Sequence, residues 1–79
     1  MHTVYILYSE FLSRYYTGHC QNLSIRLARH NKGLVKSTKS GVPWKIIYIE
    51  QFLTKQEAYK RELQIKKYKG GRAFKELIK

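Results

Sequence analysis

Val4–His30, VYILYSEFLSRYYTGHCQNLSIRLARH, decides how this chain is read. From Thr3 to Tyr8 every residue is β-branched, aromatic or leucine, which favours a strand. Val4, Ile6 and Tyr8 then share one face, and Thr3, Tyr5 and Leu7 the other, so the strand is expected to be buried on both sides. Ser9 to Ser13 interrupts the pattern and Tyr15 to His19 resumes it, a spacing that suits an antiparallel hairpin. Gly18 puts no side chain into the second strand, a cost that is offset where something must approach the backbone closely. Asn22 is placed to cap a helix from Leu23 to Asn31, and Gly33 to stop it. At about 100 degrees per residue, Leu23 and Leu27 form the buried stripe of that helix. Arg26 and His30 lie one turn apart along the edge of the stripe, and Arg29 points to solvent.

Outward from this stretch, Lys32 to Pro43 is rich in Gly, Ser and Lys without periodicity and reads as a surface loop. It is long for so small a chain, which fits either a loop laid across a ligand or one that is simply mobile. Lys32, Lys36, Lys39 and Lys45 are each placed to contact a phosphate and supply affinity blind to base sequence. Trp44 to Phe52, WKIIYIEQF, is a strong strand signal, with Trp44, Ile46, Tyr48 and Phe52 on one face and Ile47 and Ile49 on the other. It is expected to be the central or most buried strand. Thr54-Lys55-Gln56-Glu57 matches a capping box in which hydroxyl and carboxylate satisfy backbone donors reciprocally. The helix it opens should run to about Tyr68, be ended by Gly70-Gly71, and be followed by a short helix from Arg72 to Ile78 whose Phe74, Leu77 and Ile78 cover the core. The expected fold class is α/β of the α+β kind: a small three-stranded antiparallel sheet flanked by helices, in the order β-β-α-β-α-α, forming one domain over residues 1–79.

Sixteen Lys and Arg against five Asp and Glu leave a net charge of +11 on 79 residues. Such a density points to a polyanionic partner, with nucleic acid ahead of an acidic membrane surface. No apolar run approaches the length of a spanning helix, and no basic, apolar and cleavage-site segments open the chain, so a cytoplasmic protein without a membrane partner is expected. Cys20 is the only cysteine, which excludes an internal disulfide and suggests a packed, reduced thiol. His19 beside it would point to the opposite face of the strand, and Cys20 with His2, His19 and His30 matches no usual zinc spacing.

In the helix opened by Thr54, Ala58, Tyr59, Leu63 and Ile65 form the apolar arc, and Glu62 falls between Ala58 and Tyr59. A carboxylate there is expensive to desolvate unless it is paired or coordinates a cation. Both accounts are available: an i,i+4 pair with Lys66, or a divalent metal held by one carboxylate, waters and a substrate phosphate. Glu10, Glu50, Glu57 and Glu76 sit at a loop tip, a strand end, a cap and the last helix, where neither need arises.

Val4-Tyr5-Ile6, then Tyr16-Thr17-Gly18, then L-x-x-R-x-x-x-H from Leu23 to His30 resembles the GIY-YIG nuclease superfamily, with Val for Gly in the first triplet and Thr for Ile in the second. The likeness extends from Val4 to about Lys67, and the tail looks like that of the small stand-alone members. What it implies is a DNA endonuclease of repair or recombination that leaves 5′-phosphate and 3′-hydroxyl ends, with RNA still open as a substrate and a homodimer or a larger repair complex as the assembly. It further implies that Glu62 holds one Mg²⁺ or Mn²⁺, that Arg26 clamps a non-bridging oxygen, that Tyr5 is base or relay for the attacking water, and that Tyr16 and His30 orient water or phosphate. A free phenol titrates near 10, so Tyr5 would need a lowered pKa to act as a base, whereas His30 is the more natural proton carrier at neutral pH. The chain departs from larger members in one respect: they carry an asparagine after the glutamate, whereas here that position lies near Phe74 and no Asn follows Asn31. The alternative is a non-catalytic basic nucleic-acid-binding protein of the same fold, its tyrosines stacking on bases and its lysines gripping phosphates.

Overall fold

The computed structural model describes residues 1–79. Its elements are β1 (His2–Ser9), β2 (Arg14–Cys20), α1 (Leu23–Asn31), a 3-10 helix (Lys36–Gly41), β3 (Trp44–Phe52), α2 (Lys55–Lys67) and α3 (Arg72–Leu77). The strands form one antiparallel sheet in the order β2-β1-β3. The expected α+β class and the β-β-α-β-α-α order are therefore present.

The central strand is β1, whose Val4, Ile6 and Leu7 are fully buried and whose Tyr5 is nearly so. β3 is an edge strand, contrary to its expected central place, and it leaves Ile46 and Ile49 exposed. Only β1 carries residues that both faces must bury, so the other two strands pair on either side of it. The expected facing of β3 also fails. Ile6 pairs with Tyr48 and Leu7 with Ile46, which leaves Ile47 as an extra residue on β3. One inserted residue reverses a period-two alternation. Trp44 and Ile46 consequently share the face of Leu7, while Tyr48 and Phe52 share the face of Ile6.

Each face of the sheet carries its own core. Val4 and Ile6 meet Ala58 and Ile65 of α2 and Phe74 of α3 on one side. On the other, Tyr5, Leu7, Cys20 and Trp44 pack with Tyr16 and with Leu23 and Leu27 of α1. The buried line of α2 runs through Ala58, Glu62 and Ile65, whereas Tyr59 and Leu63, expected in the apolar arc, are 51% and 40% exposed. The helix is rotated so that its carboxylate, rather than its tyrosine, meets the sheet.

The caps follow the sequence with one change. Asn22 Oδ1 accepts from the Ile25 amide at 3.1 Å, and Gly33 leaves α1 at a φ of 72°. Thr54 Oγ1 accepts from the Glu57 amide at 3.2 Å, but its hydroxyl donates to the Glu57 carboxylate at 3.0 Å, so the carboxylate serves the cap side chain and not its backbone. The segment expected as a loop contains the 3-10 helix, in which Thr38 and Gly41 are buried. Trp44 Nε1 donates to the Thr38 carbonyl at 2.7 Å. The Asn31 amide stands in for a strand partner: Trp44 N donates to Asn31 Oδ1 at 2.6 Å and Asn31 Nδ2 to the Trp44 carbonyl at 3.1 Å. Tertiary contacts through one indole thus order a segment that has no periodicity of its own.

Gly18 lies opposite Tyr5 in the β1–β2 ladder. A Cβ at position 18 would stand 2.7 Å from Tyr5 Oη and 2.9 Å from Cζ, so what approaches the bare backbone is the Tyr5 ring itself. Gly18→Ala is expected to displace that ring and lower stability by about 1–3 kcal/mol. Urea unfolding of the two proteins, with the midpoint shift as readout, checks this.

Candidate active site

Tyr5 needs a hydrogen-bond partner for a phenol held at 1% exposure. Its hydroxyl is 3.1 Å from Nε2 of His30, and His30 Nδ1 is 2.7 Å from Thr38 Oγ1. The Thr38 hydroxyl lies 3.3 Å from the Val35 carbonyl, which can only accept. These contacts set the direction of the whole chain: Thr38 donates to Val35, His30 Nδ1–H donates to Thr38, and Tyr5 O–H donates to His30 Nε2. The three residues come from β1, α1 and the 3-10 helix, so three elements converge on one line of bonds.

Both titratable members are held neutral. Burial above all, helped by the neighbouring Tyr16, pushes the Tyr5 phenol well above its ordinary value of 10.0, against an opposing pull from Arg26. The lowered pKa that a Tyr5 base would require is therefore not what its surroundings provide. Burial, then the charges of Arg26 and Arg29, pushes His30 below its ordinary 6.5. Tyr16 is half-buried, its ring centroid 5.1 Å from that of His30 and 6.4 Å from that of Tyr5. Of the two tyrosines it is the one that reaches solvent. Arg26 is exposed on α1 and lines an open concavity with His2, His19, Cys20, Gln21 and Lys55.

Glu62 reaches the sheet from the other face. It is 8% exposed and turned inward, where one carboxylate oxygen is bonded to His19 Nδ1 and the other accepts from Lys66 Nζ at 2.6 Å. His19 pairs with Val4 and so faces α2, whereas Tyr5, Tyr16 and Cys20 face α1. The expected site residues accordingly form two groups on opposite faces, Tyr5, Tyr16, His30 and Arg26 on one and Glu62 on the other. The two groups are linked only through His19, on the outer edge of β2. Arg26 and His19 share a concavity there, and both Arg26 and Glu62 are close enough to bias the Tyr5 phenol, in opposite senses.

His19 was not singled out from sequence as a site residue. Its alternation to the other face of β2 was legible, but not that α2 would bring a carboxylate to it. Thr38 was hidden in the segment read as a loop. The remaining acids are occupied elsewhere: Glu50 accepts from Arg61 Nε at 3.1 Å and from the Tyr48 hydroxyl, and Glu10 from Lys45 at 2.7 Å. That last pair partly spends one of the four lysines expected to bind phosphate; Lys32, Lys36 and Lys39 are exposed and form no ion pair.

No group of three or more His, Cys, Asp or Glu side chains is placed to form a metal cage. The donor set at Glu62 is one carboxylate with an imidazole beside it, which fits an ion that keeps waters and takes the rest of its oxygens from a phosphate. Lys66 and His19 hold the carboxylate in that orientation, and the Lys66 ammonium neutralises it.

Comparison with known proteins places this arrangement among others. The family described as the GIY-YIG catalytic domain matches residues 1–75. A UPF0213 protein of Staphylococcus epidermidis is 41% identical over 68 residues, covering 85% of this chain and 82% of that one. A UPF0213 protein of Staphylococcus aureus matches to the same extent. The solution NMR structure of a UPF0213 protein from Bacillus halodurans superposes with a TM-score of 0.54 at 30% identity, covering 95% of this chain and 78% of that chain. No helix is long and apolar enough to cross a membrane.

The depressed His30 pKa carries a sign. The unfolded chain takes up this proton near pH 6.5, and the folded one only at lower pH. Between those values the unfolded state binds more protons, so stability should fall as pH drops below about 6.5, by at most about 1.4 kcal/mol per pH unit, and level off once both states are protonated. Urea unfolding between neutral and acid pH should show this decline in the wild type and a flatter one in His30→Gln.

Proposed function

This chain belongs to the GIY-YIG catalytic-domain family, a nuclease class, and on that premise we propose that it is a divalent-metal-dependent endonuclease hydrolysing phosphodiester bonds in DNA, acting in the cytoplasm in repair or recombination. The observation that carries this reading is the directed chain from Tyr5 through His30 to Thr38, standing beside a solvent-facing phenol and guanidinium, with a buried carboxylate across the strand edge.

Hydrolysis requires a positioned water, neutralisation of the charge that grows on the phosphoryl oxygens, and departure of the 3′ oxygen. Tyr16, the more accessible phenol, holds the attacking water by a hydrogen bond. As the water oxygen bonds to phosphorus and the P–O3′ bond breaks, the water proton passes to the Tyr16 oxygen while that phenol releases its own proton to solvent, and the departing 3′ oxygen takes up a proton from solvent to become the 3′-hydroxyl. Tyr5 and His30 act from behind as positioning residues, fixing the Tyr16 ring from two sides and staying uncharged at neutral pH. Arg26 places its planar, permanently charged fork on the non-bridging oxygens. Glu62 would hold a single Mg²⁺ or Mn²⁺ with the help of substrate phosphate, and such an ion would supply charge neutralisation at the scissile group. Lys32, Lys36 and Lys39 add contacts to the phosphate backbone, and the pairing of two copies or docking on a repair complex would supply the second cut or the choice of site.

A second reading has its own support. The Lys66 ammonium and the hydrogen bond to His19 satisfy Glu62 well enough to explain its burial without a metal, so a basic binding protein of the same fold needs no further use for it. Nicking of supercoiled plasmid in Mg²⁺ or Mn²⁺ separates the two. Glu62→Gln and Arg26→Ala should each lower the nicking rate by roughly 10²-fold or more while retaining salt-dependent DNA binding. Variants that cut like the parent overturn the assignment, and a parent that binds but never cuts supports the binding protein.

A further inference from the structure

The concavity beside Arg26 has a larger neighbour on the other side of Gly18. It has a volume of 440 Å³ and lies between the start of β2 and the end of α2, with Arg14, Tyr15, Tyr16, Lys66, Lys69 and Phe74 in its walls. That volume falls within the roughly 300–1,000 Å³ of ordinary ligand pockets. Three of its walls are cationic and none is acidic. Arg14 and Lys69 are exposed and neither makes an ion pair, so their charge is uncompensated within the fold. Lys66 reaches into the groove from its bond to Glu62, and its side chain is still 48% exposed.

The floor is aromatic. Tyr15 is 47% exposed, yet its ring is braced by Phe74 at 5.0 Å and Tyr8 at 4.9 Å between centroids. A half-open ring held rigidly between buried or half-buried neighbours is a stacking platform that loses little freedom on binding. Two residues that carry side chains adopt the left-handed region, Ser13 at a φ of 53° and Lys69 at 50°, and both line this same groove. The cation at position 69 is kept where glycine would fit the backbone better.

We propose that this groove binds a single-stranded segment of the DNA substrate on one side of the scissile phosphate, with Arg14 and Lys69 on successive phosphates and one unpaired base stacked on Tyr15. The proposal rests on the nucleic-acid half of the function proposed above. Cations without acids select a polyanion, and an open aromatic face selects a base that is not already paired and stacked in a duplex. Lys66, a wall of the groove, is bonded to Glu62, so a strand lying in the groove is one side chain away from the carboxylate. The preferred substrate is then DNA with a frayed, flapped or branched single-stranded arm.

Binding rather than cleavage tests this, so the outcome is separate from that of the nuclease reading. Fluorescence anisotropy with labelled oligo-dT and with a blunt duplex, each between about 50 and 200 mM salt, gives affinity and salt slope. Wild type should bind oligo-dT more tightly than the duplex. Arg14→Gln with Lys69→Gly should flatten the oligo-dT slope by about 1.4, at about 0.7 per lost phosphate contact. Because glycine suits the backbone at position 69, thermal melting should show the fold kept. Tyr15→Leu, which preserves an apolar side chain against Phe74, should weaken oligo-dT binding by about 5- to 150-fold and leave the slope unchanged. An unchanged slope in the double variant, equal losses for duplex and oligo-dT in Tyr15→Leu, or a slope that falls only in Lys36→Gln with Lys39→Gln would each overturn the proposal. If oligo-dT binding follows the groove residues while neither the parent nor any variant nicks plasmid, the groove stands and the nuclease reading fails.

Discussion

A phenol packed on a bare glycine backbone is the constraint from which the rest of this structure follows. Tyr5 sits in the middle of the one strand that is buried on both faces, and its ring needs room while its hydroxyl needs a partner. Gly18 across the ladder provides the room. His30 provides the partner, which draws the end of α1 onto the sheet, and the other nitrogen of His30 in turn requires Thr38. A single buried polar group thus fixes the strand register, the seat of a helix and the path of the connection that follows. Buried polar chains of this kind are stabilising only when every member is satisfied, and here no buried side-chain polar atom lacks a partner.

The charges are arranged around that frame with little neutralisation to spare. Glu10, Glu50 and Glu62 are each paired with a basic side chain, and Glu57 serves the cap of α2. With only five acids against sixteen Lys and Arg, most of the positive charge has no partner inside the molecule. Glu62 is distinctive because it is buried as well as paired, and because its two partners, Lys66 and His19, each line one of the two cationic concavities. The catalytic candidates divide between the two faces of a sheet whose edge they share. An edge strand is the one place in a three-stranded sheet where groups from both faces can approach the same phosphate.

The first hairpin and α1 were legible in the sequence because their signals are local. Alternation in Thr3–Tyr8, a break, Gly18 and an Asn22 cap each act within a few residues, and the structure has β1, β2 and α1 within a residue or so of the expected bounds. The family triplets and the Arg26–His30 spacing lie inside this same stretch. The misread features depend on contacts between elements rather than on patterns within one. Ile47 is extra only relative to Leu7 and Ile6, so the reversal of facing in β3 has no mark in WKIIYIEQF itself. The 3-10 helix is held by Trp44, and its Thr38 is buried because His30 needs it.

By itself, then, the sequence determined the class of fold, the two-sided burial of β1, the helix carrying Arg26 and His30, and a surplus of positive charge, since each follows from side-chain chemistry and short-range periodicity. Only the tertiary structure decided which strand was the edge, which way Tyr5 passes its hydrogen bond, and that Glu62 meets His19 as well as Lys66. The edge position depends on β1 pairing with both other strands, the hydrogen-bond direction on the Val35 carbonyl behind Thr38, and the Glu62 contact on how α2 rotates against the sheet. The first and last are settled by contacts between residues distant in the chain, as with His19 and Glu62, 43 positions apart, a separation over which no local pattern in a chain carries information.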